Sequence, residues 1–245
     1  LAYKYFKSVY VPFAPSDAGS AIGACLVNNS LLGYAMDNSC PYLGNGYTIE
    51  QIEEILECYK DKISIKSYNP ATLVKNTAKI INDQKIVAWF QGKMEFGARA
   101  LGNRSILASP RDASMRDKLN RVIKKREGFR PFAPTVTVSQ ASKWFDLKQS
   151  VPYMNIVLQA KTNKFKAATH IDGSCRVQTV DKYQNPLYFN LIKEIGKLSG
   201  AEVVLNTSFN LKDQTITRTP EQAIKRFLDS DIDHLVIDKF ILTKK

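Results

Sequence analysis

The run Lys85–Phe90 (K-I-V-A-W-F) reads as a buried strand, and it leads without interruption into a segment rich in glycines and arginines. That segment, Gln91–Pro134, contains Q-G-K-M-E-F-G-A-R-A-L-G-N-R-S-I-L and K-K-R-E-G-F-R-P-F-A-P. An apolar strand that ends this way narrows the fold, because open α/β sheets place their ligand sites at strand ends. Lys93, Arg99, Arg104, Arg111, Lys124, Arg126 and Arg130 occur at spacings that no amphipathic surface helix produces. Guanidinium forks match phosphate oxygens two at a time, so the segment is expected to hold something anionic, phosphate groups first.

The rest of the chain alternates between helical and strand periods. Ser8–Phe13 is β-like, and Asp17 opens a small-residue helix through about Leu32, with an N-cap as the simpler role for Asp17. The turn-rich Ser39–Tyr47 is the expected boundary between two units, residues 1–40 and 41–245. Thr48–Gln51 is a capping box launching a helix through about Tyr59, and a second helix is expected over Ala71–Asn82. Ser105–Ala108 and Pro134–Val138 read as strands, with a helix over Ala113–Ile123 between them. Tyr153–Ala160 and Arg176–Val180 are further strands, and Pro186–Leu198 is an amphipathic helix stopped by Gly200. Glu202–Leu205 is a strand delivering N-T-S-F-N, Thr219–Gln222 a second capping box opening a helix to about Ser230, and His234–Leu242 a closing strand. This alternation, without internal repeats, favours an α/β fold with a mixed sheet.

At 245 residues, 44% of them hydrophobic and 24% charged, the chain can bury a full core. Its net charge of +12 is uneven: between Lys93 and Arg130, eleven Lys/Arg stand against four acids, Glu95, Asp112, Asp117 and Glu127. Such an excess suits nucleotides, phosphates or nucleic acid, with a solvated basic face as the plain alternative. Cys25, Cys40, Cys58 and Cys175 show no paired spacing, and His170 and His234 alone make no zinc-finger set. Idle thiols in a reducing cytoplasm are therefore expected. No apolar run reaches the roughly 18 residues that span a bilayer and no signal peptide is visible, so a cytoplasmic protein without membrane partners is expected. The chain opens in what reads as a strand and is expected to be part of something longer.

Four polar clusters sit beside strand ends or turns. In Lys93–Ser105 the glycines permit tight turns, while Arg99, Asn103 and Arg104 supply donors beside Lys93 and Ser105. In Lys124-x-Arg126, an extended backbone would point both cations to one side, and the rigid Arg130–Pro134 run would fix the chain behind them. Thr169–Arg176 sets His170 and Asp172 beside a glycine turn, which an Asx turn would also explain, and Arg176 enters a strand. After the strand V-V-L, Asn206, Ser208 and Asn210 form a dense donor set for a phosphate or ribose, although asparagine turns also follow strands without function. A Ser–His–Asp triad is disfavoured, because nothing marks a nucleophile elbow.

From Gly44 to Phe240 these motifs resemble the carboxy-terminal portion of O-carbamoyltransferases of the NodU/CmcH type. The resemblance rests on Q-G-K-M-E-F-G-A-R-A-L-G-N-R-S-I-L, K-K-R-E-G-F-R-P-F-A-P, T-H-I-D-G-S-C-R-V-Q-T-V and V-V-L-N-T-S-F-N. It implies a YrdC-like α/β domain, a twisted mixed sheet flanked by helices, preceded by a fragment of a sugar-kinase/actin-like domain. It also implies a carbamoyl-adenylate formed from carbamoyl phosphate and ATP with Mg²⁺, and the larger domain passing the carbamoyl group to a small-molecule hydroxyl. The family's K-x-R and S-x-N pairs fall on Lys124/Arg126 and Ser208/Asn210, which with Arg130 are the catalytic set the resemblance implies. Lys93, Arg99, Asn103, Arg104, Ser105, His170, Arg176 and Asn206 become the phosphate- and carbamoyl-binding set. Asp17 matches a metal ligand of the larger domain, whose divalent metal, with iron as a candidate, needs upstream histidines that this chain lacks. Ala98 and Ser109 depart from the usual Pro and Asp. An RNA- or nucleotide-binding module without carbamoyl activity is the rival reading, although no platform of interleaved aromatics supports RNA, and a docking domain that could assemble into an oligomer is a third.

Overall fold

The computed structural model describes residues 5–33 and 40–245, so the expected boundary at Ser39–Tyr47 is seen only from Cys40 onward. The helices are α1 (Ala18–Leu31), α2 (Ile49–Glu57), α3 (Pro70–Asn82), α4 (Ala113–Lys118), α5 (Val138–Trp144), α6 (Pro186–Ser199) and α7 (Pro220–Leu228). The strands are β1 (Ile63–Ser67), β2 (Val87–Phe90), β3 (Arg104–Ala108), β4 (Ala133–Thr137), β5 (Val157–Gln159), β6 (Ser174–Arg176), β7 (Gln178–Val180), β8 (Val203–Ser208), β9 (His234–Ile237) and β10 (Phe240–Lys244). Eight strands form one mixed sheet in the order β1-β10-β9-β2-β3-β8-β4-β7, and β5 pairs with β6 alone. Within the large sheet β2/β9 and β4/β7 are parallel. The α/β class with a mixed sheet flanked by helices is the one the sequence predicts.

β2 is apolar at every position, and β3, β8 and β9 are apolar away from their polar ends, because helices cover both faces and each side chain finds a core whichever way it points. Val87, Trp89, Leu107, Val204 and Val236 pack with α3 and α6 through Leu73, Ile81, Tyr188 and Ile192. Their strand neighbours Ala88, Phe90, Ile106, Leu205 and Leu235 pack on the opposite face with α2 and α7 through Ile52, Leu56, Ile224 and Phe227. Burying each such large side chain contributes about 1.5–3 kcal/mol. The helix starts are chemically marked. Thr48 and Gln51 close a full capping box, while Asn69 and Asn185 cap α3 and α6 ahead of a first-turn proline. The second box is half formed: Thr219 caps Gln222, whose side chain turns instead to the Arg218 amide. Gly200 ends α6 in the left-handed conformation at φ 75°.

Several expectations are corrected. Ser8–Phe13 is not a strand; side chains hold it, with the Val9 amide donating to Gln149 Oε1 and Asn155 Nδ2 donating to the Val11 carbonyl. Asp17 makes no side-chain cap bond to α1, none of whose residues is buried. His234–Leu242 is a hairpin, because Asp238 takes φ 47° and folds β10 back onto β9. Arg176–Val180 splits into β6 and β7, which belong to different sheets, and Tyr153–Ala160 shortens to β5. β1 and α5 are not foreseen. β1 is an edge strand with one buried residue and therefore little apolar alternation, and α5 begins directly where β4 ends. No helix among the described residues is long and apolar enough to cross a membrane.

Candidate active site

The sheet register gathers the polar clusters. β8 pairs antiparallel with both β3 and β4, which sets Ser208 beside Ser105 and Asn206 beside Ala133. The start of β3, the end of β8 and the start of β4 therefore share one sheet end, where two connecting segments meet.

The first segment is the glycine-bearing loop between β2 and β3, and it is built from within. Arg104 is fully buried and lies 3.6 Å over the Phe90 ring. Its guanidinium donates to the carbonyls of Gln91 (2.5 Å), Gly92 (3.0 Å), Asn103 (3.1 Å) and Asn45 (3.2 Å). Burial lowers its pKa to about 10, with Glu95 opposing the shift. Asn103 Nδ2 donates to the Lys93 carbonyl and its Oδ1 accepts from Asn185, while Ser105 Oγ accepts from the Gly102 amide.

The second segment carries Lys124 and Arg126. The helix expected over Ala113–Ile123 is α4 followed by a π-helix, Leu119–Lys124, and Lys125 then takes a left-handed φ of 44°. The extended Lys-x-Arg geometry is thus corrected: the two cations leave a tight turn in different directions. Lys124 is buried and donates to the Ser208 carbonyl (2.6 Å), the Asn210 carbonyl (3.0 Å) and Asn210 Oδ1 (2.9 Å). Asn120, in the π-turn, accepts from Arg126 Nε at 2.7 Å and donates to the carbonyls of Gly128 and Arg130. One buried amide so folds residues 126–130 into a strap, with Arg126 4.8 Å over the Phe132 ring. Irregular turns of this kind are frequent at functional sites.

A cavity of about 330 Å³ opens where these segments meet β6 and β8. Arg99, Arg126, Arg130 and Arg176 line it, together with His170, Asn206 and Ser208, and among the described residues no carboxylate does. Arg130 pairs with Glu127 at 2.9 Å, but among the described residues no carboxylate pairs with Arg99, Arg126 or Arg176. Burial, followed by the like charges of Arg99 and Arg126, lowers the Arg176 pKa to about 10. Below the cavity Asn206 Nδ2 donates to the Ala100 carbonyl, Thr135 Oγ1 and Gln178 Oε1, fixing the floor. A wider neighbouring cavity of about 790 Å³ shares Arg130, Pro131 and His170 and is edged by exposed Phe129 and Ile171.

Of the residues singled out from the sequence, Arg99, Arg126, Arg130, His170, Arg176, Asn206 and Ser208 meet at the cavity. Lys124 and Asn210 stand behind Ser208, and both are joined to it by hydrogen bonds. Arg104, Asn103 and Ser105 are brought into the loop's interior instead of the cavity, and Lys93 is exposed outside its lining. Asp17 is exposed, and no group of three His, Cys, Asp or Glu side chains that could hold a metal occurs among the described residues. Sequence reasoning passed over Asn120 and Glu95. Each is a lone polar side chain inside an otherwise apolar or basic run, which is the available signal.

The clamp on Lys124 has a pH signature. Burial, with Arg126 and Arg226 as positive neighbours, moves its pKa from 10.5 down to about 7. Between those values the unfolded chain binds the extra proton, so stability rises with pH, by about 1.4 kcal/mol per pH unit at most from one group. Lys124→Met is expected to remove that rise. Urea unfolding from about pH 7 to about pH 10 checks this, and parallel profiles for variant and wild type would contradict the burial of an ammonium there.

Residues 78–244 match the family model described as the carbamoyltransferase C-terminus. The chain is 39% identical over 249 residues to an uncharacterized protein of Methanocaldococcus jannaschii, covering 98% of this chain and 41% of that protein. It is 38% identical over 250 residues to the nodulation protein NolO of Bradyrhizobium diazoefficiens, covering 98% of this chain and 45% of NolO. To the 3'-hydroxymethylcephem-O-carbamoyltransferase of Amycolatopsis lactamdurans it is 33% identical over 217 residues, 86% of this chain and 39% of that enzyme. The chain thus spans about two fifths of the length of these relatives.

Proposed function

The chain belongs to the carbamoyltransferase C-terminus family, and we propose that its arginine-lined cavity is where carbamoyl phosphate and ATP combine to form a carbamoyl-adenylate. The observation that carries this reading is the set of three guanidinium groups, Arg99, Arg126 and Arg176, that meet in one cavity with no carboxylate among the described residues ion-paired to any of them, Glu127 being engaged by Arg130. Holding like charges together costs free energy in the empty protein, and an anionic ligand offsets it. Water first takes the phosphoryl group of carbamoyl phosphate, breaking its P–O bond and releasing inorganic phosphate and carbamate. As a carbamate oxygen then attacks the α-phosphorus of ATP and pyrophosphate leaves, negative charge spreads over the phosphoryl oxygens. Fixed guanidinium donors meet that charge without reorganising.

On this reading Lys124 holds the Ser208–Asn210 turn against the cavity, and no side chain acts as a nucleophile. The wider neighbouring cavity, edged by Phe129, gives apolar cover to the nucleoside. Among the described residues the smaller cavity offers no carboxylate to a magnesium ion accompanying the phosphates, and the wider one offers only Asp117, so charge neutralisation at the phosphates falls to the arginines. Transfer to a small-molecule hydroxyl, and the histidines that would complete a divalent metal site with Asp17, fall to the part of the longer relatives that this chain does not span.

Mixing the protein with carbamoyl phosphate and Mg-ATP is expected to release pyrophosphate. A Lys124→Ala/Arg126→Ala double variant is expected to lose about a hundredfold or more of that rate, the scale of removing charge-stabilising donors. An undiminished rate in the double variant would sink the assignment. So would salt-sensitive binding of RNA tighter than that of ATP, which would favour a nucleic-acid module instead.

A further inference from the structure

We propose that Glu95 is a positioning residue: its carboxylate takes the place of a bound anion inside the glycine-bearing loop and so turns Arg99 into the cavity. The proposal rests on the cavity binding phosphate groups.

Glu95 is 4% exposed, and a single oxygen, Oε1, accepts from three backbone amides, those of Leu101 (2.7 Å), Asn103 (2.7 Å) and Arg104 (3.2 Å). Amides converging on one anionic oxygen is the arrangement by which glycine-rich loops cradle a ligand phosphate. Here the chain supplies the anion itself, so those amides are already satisfied and the loop reaches a ligand through a side chain. The bond from Glu95 to the Leu101 amide closes residues 95–101 into a ring, and Arg99 lies on the arc of that ring that lines the cavity.

The ring is also pinned from outside. Asn206 Nδ2 donates to the Ala100 carbonyl at 3.2 Å, while Gln178 Nε2 (2.8 Å) and Tyr42 Oη (3.1 Å) donate to the Leu101 carbonyl. Residues 100 and 101 are thus gripped between the carboxylate and the side chains of β7 and β8, and Arg99 is the residue immediately before the grip. Glu95 does not line the cavity, and its Oε2 is buried without a hydrogen-bond partner, so it acts on a ligand only through Arg99. The positive charge of the buried Arg104, spent on carbonyls and not on an ion pair, compensates the carboxylate within the same loop.

The test is a double-mutant cycle on binding of inorganic pyrophosphate to the full chain, read by calorimetry. In the wild type Arg99→Ala and Arg176→Ala are each expected to weaken binding about tenfold or more, as the loss of one charge-assisted contact does. In a Glu95→Leu background Arg99→Ala is expected to change affinity less than about twofold, while Arg176→Ala keeps its full effect, because only the first pair is coupled. An undiminished effect of Arg99→Ala in that background overturns the proposal. Loss of both arginine effects together also overturns it, since Glu95 would then merely hold the fold. If Glu95→Leu does not fold, Glu95→Gln, which keeps an oxygen acceptor without the charge, closes the same cycle, with the Arg99→Ala effect expected to fall to about threefold. Wild-type protein that fails to bind pyrophosphate overturns the reading of the cavity and this proposal with it, an outcome distinct from binding that shows no coupling.

Discussion

Gly102→Ala is expected to destabilise the protein by about 3–5 kcal/mol, from backbone strain and overpacking acting together. Gly102 has φ +110°, where residues with a side chain are strained whatever space surrounds them. There is also no space: a Cβ would lie 2.3 Å from Tyr188 Cδ1 and 2.6 Å from Cε1. The ring cannot retreat easily, because Tyr188 is fully buried in the core between the sheet and α6. The loop cannot retreat either, since the Gly102 carbonyl accepts from Trp89 Nε1 at 2.8 Å and its amide donates to Ser105. Gly128→Ala is the control, as nothing lies within 4 Å of a Cβ there, and it is expected to stay within about 0.5 kcal/mol of the wild type. Denaturant midpoints compare the two. A Gly102→Ala loss below about 1 kcal/mol would mean that the loop does not rest on Tyr188 as described.

The same loop shows where the sequence is legible and where it stops being so. The strands that flank it could be read because they are short, apolar and bounded by glycine. The family motifs place Lys124, Ser208 and Asn210 in one site as separate phosphate contacts; that Lys124 bonds directly to the other two, across 84 and 86 residues of chain, is visible only in the structure. Arg104 is the instructive miss. It stands two residues after a glycine, as Arg99 does, yet the loop closes around it and four carbonyls absorb its donors. Whether an arginine faces a ligand or its own backbone depends on how the loop returns, and periodicity carries no information about that. The π-turn is hidden for a similar reason. Met115, Leu119 and Val122 fit an ordinary helix, and the irregular turn is stabilised by the distant contacts of Lys124 and by Asn120 folding the strap. β1 and the β9–β10 hairpin escape because edge pairing and a left-handed Asp238 leave little trace in apolar alternation.

Arg176→Ala is expected to move ligand binding and stability in opposite directions, which distinguishes a binding cation from a structural one. In the empty protein Arg176 is half-buried, its Nε is buried without a hydrogen-bond partner, and Arg99 and Arg126 are its charged neighbours. Desolvation and like-charge repulsion both act against the folded state, so removing the guanidinium is expected to leave the melting temperature unchanged or raise it. The same change removes a donor preplaced for an anion, and is expected to weaken pyrophosphate or ATP binding about tenfold or more. Arg130→Ala supplies the contrast: that guanidinium is about half exposed and already paired with Glu127, so its loss is expected to matter less for both properties. Ligand-dependent stabilisation reports the two effects in one measurement, since a saturating anion raises the melting temperature in proportion to the logarithm of its occupancy ratio. The wild type should gain steeply with added pyrophosphate and Arg176→Ala only weakly, from an equal or higher starting point. A variant that melts lower than the wild type without ligand, yet gains as much with it, would show that Arg176 serves the fold and that the anion is held by other residues.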